Sequence, residues 1–174
     1  MATWKGTVLF AHGKESGPWG TKIQTLAAVA KGKGLEVESP DYSGMTDPDA
    51  RVEKLLSLHP KKSGALILVG SSMGGYVSTV ASETLRPSGL FLMAPAFYLP
   101  GYGNQDPVPH ARRTVLVHGW MDVIVPPEHA IRFASRHQAE MHMLNAGHTL
   151  AEKIPALEML FREFLESPLV LPES

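Results

Sequence analysis

Three short stretches of this 174-residue chain are almost continuously apolar, and they constrain the fold more than any other feature. They read ALILV at 65–69, GLFLM at 89–93 and TVLVH at 114–118. A strand that is apolar on both faces must be covered on both faces, as in parallel sheets that lie between two layers of helices. These stretches therefore predict strands of a buried parallel sheet.

Three further strands complete the predicted sheet. They read TVLFA at 7–11, LEVES at 35–39 and EMHML at 140–144. The last two alternate polar and apolar residues, whereas the central strands do not. We therefore expect the strands at 35–39 and 140–144 to lie near the sheet edges.

Segments with a helical period separate these strands. One repeats apolar residues from Ile23 to Ala30, and another begins with an N-cap at Asp47. Three more are predicted at 73–85, 127–137 and 155–165. Alternation of strand and helix along the whole chain predicts an α/β fold, a three-layer α/β/α sandwich with a mostly parallel sheet of about six strands.

No repeat, low-complexity tract or linker divides the sequence, so a single domain over residues 1–174 is expected. Residues 95–113 break the alternation, because they contain several prolines and aromatic residues without a clear period. A loop of this length in a compact domain is usually functional or disordered, and the aromatic residues argue against simple disorder.

The composition narrows the classes of partner and of site. A formal net charge of −1 gives no indication of a basic surface that would bind nucleic acid. The absence of cysteine excludes disulfides and thiolate metal sites. The apolar run near the N-terminus is too short for a secretion signal or a membrane span. We expect a cytoplasmic protein without membrane insertion, nucleic acid, metal or cofactor; the sequence leaves homodimerisation open.

A serine stands where the third predicted strand gives way to a helix. The sequence GSSMGG at 70–75 places a glycine two residues before and two residues after Ser72. These glycines remove side chains that would clash if a serine occupied a sharp strand-to-helix turn. Ser72 is therefore predicted to be an exposed nucleophile, whereas Ser71 lacks this glycine pattern and is interpreted as a packing residue.

An aspartate and a histidine follow two later strands. The resulting chain order, serine, then aspartate, then histidine, is one that serine hydrolases with a nucleophile between a strand and a helix use. Asp122 precedes the proline-stiffened turn VIVPP, which can hold a carboxylate in place. His148 directly follows the last predicted strand, while His129 and His137 lie on a predicted helix and are expected to face solvent. We predict Ser72 as nucleophile, His148 as base and Asp122 as the acid that orients the imidazole.

Two backbone N–H groups are predicted to bind the oxyanion of acyl transfer. The Met73 N–H follows the serine at the start of a helix. The second donor is expected in the loop HGKES at 12–16, with Lys14 N–H as first choice and Gly13 N–H as second. His12 is interpreted as an anchor of this loop.

Together these residues resemble the α/β-hydrolase superfamily along nearly the whole chain. The resemblance rests on FAHGKES at 10–16, GSSMGG at 70–75, HGWMDVIVP at 118–126 and NAGHTL at 145–150. It is greatest to the small, essentially cap-less serine esterases and dienelactone-hydrolase-like members, although the cysteine nucleophile of the latter is lacking. It implies the strand order 2-1-3-4-5-6 and the triad Ser72, Asp122 and His148.

The expected reaction is hydrolysis of a carboxylic ester of a small or accessible acyl substrate through an acyl-enzyme on Ser72. The partner would be a small-molecule ester or thioester. Candidates for substrate binding are Gly13, Phe97, Tyr98, Trp120 and Met121. Apolar residues are also expected in the core and in packed loops, so the aromatic candidates fit either role.

Two alternatives stay open at this point. A thioesterase or a protein deacylase would use the same residues on a different acyl group. A non-catalytic partner-binding protein on a hydrolase scaffold would use Trp4, Trp19 and the 95–113 loop as contact surfaces, since a fold does not guarantee catalysis.

Overall fold

The computed structural model of the chain describes residues 4–58 and 64–171. Six strands form one sheet within these residues: β1 Gly6–Ala11, β2 Glu36–Glu38, β3 Ala65–Ser71, β4 Gly89–Met93, β5 Arg113–Gly119 and β6 Glu140–Leu144. Neighbouring strands are parallel, in the order β2-β1-β3-β4-β5-β6. The strand order implied by the resemblance is confirmed, and the two strands of alternating polarity, β2 and β6, form the edges.

Five α-helices cover this sheet: α1 Thr21–Gly32, α2 Pro48–Ser57, α3 Met73–Leu85, α4 Pro127–His137 and α5 Ile154–Glu166. Helices α1 and α5 pack on one face, and α2, α3 and α4 pack on the other. The predicted three-layer sandwich is therefore confirmed. None of the helices in the described part of the chain is long and apolar enough to cross a membrane.

The side chains of the central strand β3 alternate between two apolar cores. Ile67 and Val69 belong to the core under α1 and α5, whereas Leu66 and Leu68 belong to the core under α2, α3 and α4. Burying one such side chain contributes roughly 1.5–3 kcal/mol. The strand is therefore anchored from both sides, and it runs two residues further than predicted because Gly70 and Ser71 still pair with β4.

The 95–113 loop is attached to the helices that cover one face of the sheet. Asp49 of α2 accepts hydrogen bonds from the Tyr76 hydroxyl at 2.6 Å and from the Gly103 N–H at 2.9 Å. The Phe97 ring stacks on the Phe133 ring of α4 with centroids 4.2 Å apart. The loop is thus ordered by specific contacts with α2, α3 and α4, as its aromatic residues suggested.

Close backbone contact at the start of α3 requires glycine. A Cβ atom on Gly74 would lie 1.9 Å from the Ala11 carbonyl oxygen at the end of β1. A Cβ atom on Gly70 would lie 2.2 Å from the Gly74 carbonyl oxygen. The helix therefore approaches the ends of β1 and β3 more closely than any side chain would permit.

We predict that Gly74→Ala lowers the free energy of unfolding by about 3 kcal/mol, because the new methyl group would displace α3 from β1. Gly32→Ala is the matched control, since a Cβ atom at this helical position meets nothing within 4 Å. The control is expected to gain about 0.5–1 kcal/mol from helix propensity. Urea unfolding of both variants measures the difference, and equal midpoints would contradict the packing role of Gly74.

Candidate active site

The turn between β3 and α3 holds Ser72 in an unusual backbone conformation. Its φ and ψ are 53° and −117°, and positive φ costs a non-glycine residue about 1–3 kcal/mol. The Ser72 N–H donates to Met93 O, and Ser72 O accepts from the Ala96 N–H, each at 2.9 Å. The segment at the end of β4 thus holds the strained turn in place.

The structure brings the three residues of the predicted triad into hydrogen-bond contact. His148 Nε2 lies 2.9 Å from Ser72 Oγ, and His148 Nδ1 lies 2.7 Å from Asp122 Oδ2. Because a carboxylate only accepts, we assign the imidazole proton to Nδ1, which leaves the Nε2 lone pair facing the serine hydroxyl. In this arrangement the histidine can accept the serine proton.

The Asp122 carboxylate is buried, and each of its oxygens has a fixed partner. Its other oxygen, Oδ1, accepts hydrogen bonds from the N–H groups of Ile124 at 2.9 Å and Val125 at 2.8 Å. These two donors belong to the proline-containing turn that follows the aspartate in the sequence. The carboxylate therefore has one orientation, with Oδ2 directed at His148.

The loops that carry Asp122 and His148 are joined through their backbones. The Met121 N–H donates to Ala146 O at 3.0 Å, and the Trp120 N–H donates to Leu144 O at 2.9 Å. A Cβ atom on Gly119 would lie 2.2 Å from Ala146 O, so this approach depends on glycine. Asp122 and His148 are thereby held together independently of their side-chain contact.

His118, which the sequence analysis did not single out, lies against the Asp122 carboxylate. Its side chain is completely buried, with Nε2 3.0 Å from Val125 O and 3.2 Å from Asp122 Oδ2. Both neighbours are acceptors, so Nε2 carries the proton. Burial lowers the pKa of His118 and keeps its ring neutral, while Asp122 opposes this shift. The sequence signal that could have identified His118 is its position at the end of a predicted strand, four residues before Asp122.

Arg51 is a second residue that the sequence analysis did not identify. This arginine of α2 is buried, and its Nη1 donates to His12 O at 2.9 Å and to Gly13 O at 3.3 Å. The His12 ring lies between two backbone groups: Nδ1 is 2.8 Å from Gly13 O, and Nε2 accepts from the Tyr42 N–H at 2.9 Å. The contacts of His12 agree with its predicted role as loop anchor.

These contacts orient the Lys14 N–H, one of the two N–H groups expected to bind the oxyanion. Because Arg51 draws the Gly13 carbonyl toward itself, the Lys14 N–H of the same trans peptide points the opposite way. A Cβ atom on Gly13 would lie 3.5 Å from Ser72 Cβ, so the loop runs beside the serine. Met73 is the first residue of α3, where backbone N–H groups lack a partner within the helix.

The four large side chains predicted to bind substrate occupy different environments. Phe97 is completely buried against Phe133, so its ring packs the core and is not available to line an open pocket. Tyr98 is half-buried, and the Arg132 guanidinium lies 3.9 Å from its ring centroid. Trp120 and Met121 are 57% and 56% exposed beside Asp122. Of these four, only the last two present large apolar surface next to the triad.

Two further expectations need correction. His129 and His137 were expected to face solvent, yet both are half-buried, and His129 Nδ1 lies 2.7 Å from Phe97 O because the 95–113 loop folds onto α4. Ser71 is buried at the end of β3, in agreement with its interpretation as a packing residue, and its hydroxyl also accepts a hydrogen bond from Lys22 Nζ at 3.1 Å. Both contacts join segments that are distant in the sequence.

Comparisons with known proteins agree with this architecture. The family model of serine aminopeptidase S33 matches residues 12–165. A search of curated proteins finds no match. A protein from Xanthomonas campestris pv. campestris, assigned to the hydrolases of the α/β superfamily, is 29% identical, with a TM-score of 0.81 over 92% of this chain and 98% of its own.

Two other solved structures share the fold at lower identity. An α/β serine hydrolase without a lid from Xanthomonas campestris is 19% identical, with a TM-score of 0.82 over 99% of this chain and 85% of its own. Est1E from Butyrivibrio proteoclasticus is 15% identical, with a TM-score of 0.79 over 94% of this chain and 88% of its own. The chain is therefore an α/β serine hydrolase and belongs to the serine aminopeptidase S33 family of the α/β-hydrolase superfamily.

Proposed function

We propose that the protein is a carboxylesterase that hydrolyses small or accessible acyl esters through Ser72, His148 and Asp122. The observation that carries this proposal is the continuous hydrogen-bonded path from the Ser72 hydroxyl through the imidazole to a buried carboxylate. The strained turn at Ser72 is a second support, because such strain is typical of functional sites.

In the proposed mechanism, His148 Nε2 takes the proton of Ser72 Oγ as that oxygen bonds to the ester carbonyl carbon. The N–H groups of Met73 and Lys14 bind the resulting oxyanion, and one such donor is typically worth about 3 kcal/mol. Collapse of the intermediate expels the alcohol, which receives its proton from His148. Water then attacks the acyl carbon as His148 takes its proton, the bond to Ser72 Oγ breaks, and Oγ recovers a proton from His148 as the carboxylic acid leaves.

The apolar surface beside Asp122 supports an accessible, apolar substrate. Trp120 and Met121 are joined there by Val123 and Ile124, which are 89% and 62% exposed. We call these four residues the apolar rim. Its position suits contact with the acyl or alcohol group of an ester that enters from solvent. Thioesterase or protein deacylase activity would use the same mechanism, and a cytoplasmic location remains part of the proposal.

Ser72→Ala is expected to lower kcat/KM for p-nitrophenyl acetate at least about 1,000-fold, because the acyl-enzyme cannot form. The variant should also lose labelling by a fluorophosphonate probe while unfolding at the wild-type temperature. Labelling or turnover that survives in Ser72→Ala would refute the hydrolase mechanism. Wild-type inactivity toward esters, acyl-CoA thioesters and leucine p-nitroanilide alike would favour a binding protein.

Replacing His118 is expected to change kcat without changing KM, since the residue contacts Asp122 and not the substrate. His118→Met removes the N–H beside Asp122 Oδ2, and we expect kcat to fall about tenfold, or about 1.4 kcal/mol in activation free energy. His118→Gln keeps an N–H at a similar distance and should recover most of this loss. Equal kcat values for the Met and Gln variants in a steady-state assay would show that the donor is unimportant.

The apolar rim is expected to select acyl length. Trp120→Ala should lower kcat/KM for p-nitrophenyl octanoate about tenfold and leave the acetate within about twofold, because only the longer chain reaches the indole. Met159→Ala, an equally exposed apolar residue on α5, is the control. A parallel series of acyl-CoA thioesters measures the preference for thioesters. A uniform loss across all chain lengths would contradict the role assigned to Trp120.

A further inference from the structure

An ammonium group contacts Ser71, the residue before the proposed nucleophile, and has no role in the mechanism described above. Lys22 is in the first turn of α1, and its side chain reaches across to β3, where Nζ lies 3.1 Å from Ser71 Oγ. Ser71 directly precedes Ser72, and neighbouring Cα atoms are about 3.8 Å apart. The positive charge therefore lies beside the residue that directly precedes the proposed nucleophile.

This ammonium has no negative partner in the part of the chain that the structure describes. The ion pairs there involve Lys33, Arg113, Arg136, Arg162 and four histidines, but not Lys22. Ser71 Oγ is the hydrogen-bond acceptor that the described residues offer to Lys22 Nζ, whereas an ammonium carries three donors. Two donors are thus left for a ligand or for solvent.

The local environment makes the charge of Lys22 costly. Burial alone lowers the pKa of Lys22 to about 8, and no acidic side chain offsets this effect. Lys22 is half-buried, and removing an unpaired cation even partly from water is unfavourable, whereas a methionine of similar length would pack there without that penalty. An anion bound beside Lys22 would remove the penalty.

We propose that Lys22 is a specificity-determining residue that binds a carboxylate or phosphate group of the ester substrate. This inference rests on the esterase function proposed above and names the class of its substrate: an ester with a negative group within a few bonds of the scissile carbonyl. The ammonium donates to the anion while Ser71 Oγ fixes its position. The negative group belongs either to the acyl part or to the alcohol part of the ester, and the experiment below distinguishes these two cases.

The test compares matched neutral and anionic esters. Mono-p-nitrophenyl adipate against p-nitrophenyl hexanoate tests the acyl part, and 4-acetoxybenzoate against its methyl ester tests the alcohol part. We expect the wild-type protein to prefer the anionic member of one pair by about tenfold or more in kcat/KM. Lys22→Met should bring that ratio to about one with little change for the neutral ester, whereas Lys22→Arg should preserve the preference.

Lys31→Met is the matched control, because it removes an exposed charge from the same helix without approaching the serine. It is expected to leave the ratio unchanged. A wild-type ratio near one in both pairs, or an equal loss for both members in Lys22→Met, would overturn the proposal. Turnover of the neutral esters and its dependence on Ser72 report separately on the esterase function.

A second measurement needs no variant and covers the case in which Lys22→Met does not fold. The carboxylate of the substrate stays ionised from pH 6 upward, whereas an amine with a pKa near 8 loses its charge as the pH rises. The preference for the anionic ester is therefore expected to be full at pH 6.5 and to decline above pH 8. A ratio that is constant from pH 6.5 to 9.5 would contradict the role of Lys22.

Discussion

Close packing of α3 against the ends of β1 and β3 is the constraint on which the site depends. Gly74 permits the contact with β1, and this contact fixes where α3 begins. The chain then has to turn sharply at Ser72, in a conformation that is unfavourable in isolation. The two apolar cores on either side of β3 supply the stability that keeps this turn from relaxing.

Buried polar side chains hold the loops around this turn by binding backbone groups. Arg51 binds two carbonyl groups of the loop after β1, and His118 binds the carbonyl of Val125. A buried donor without an acceptor is costly, so each of these contacts favours a single loop conformation. The groups proposed for catalysis are therefore in place before a substrate arrives, which is the condition under which fixed dipoles stabilise a transition state.

The surroundings of the proposed nucleophile combine two kinds of recognition. The apolar rim faces solvent beside Asp122, whereas Lys22 places a positive charge on the side of Ser71. Apolar contact contributes binding free energy in proportion to the buried area and distinguishes weakly between ligands. A desolvated charge distinguishes strongly between neutral and anionic ligands. An ester with an apolar part and an acidic group would satisfy both surfaces.

The sequence by itself determined the layers and the strand ends from which Ser72, Asp122 and His148 arise, and its four motifs carried the family resemblance that implied the strand order. Apolar periodicity and glycine spacing are local properties, so they can be read along the chain. Only the tertiary structure decided the roles of Arg51, His118 and Lys22, and the burial of Phe97. Their partners lie on other elements or in folded turns, and a contact of that kind leaves no local pattern in the sequence.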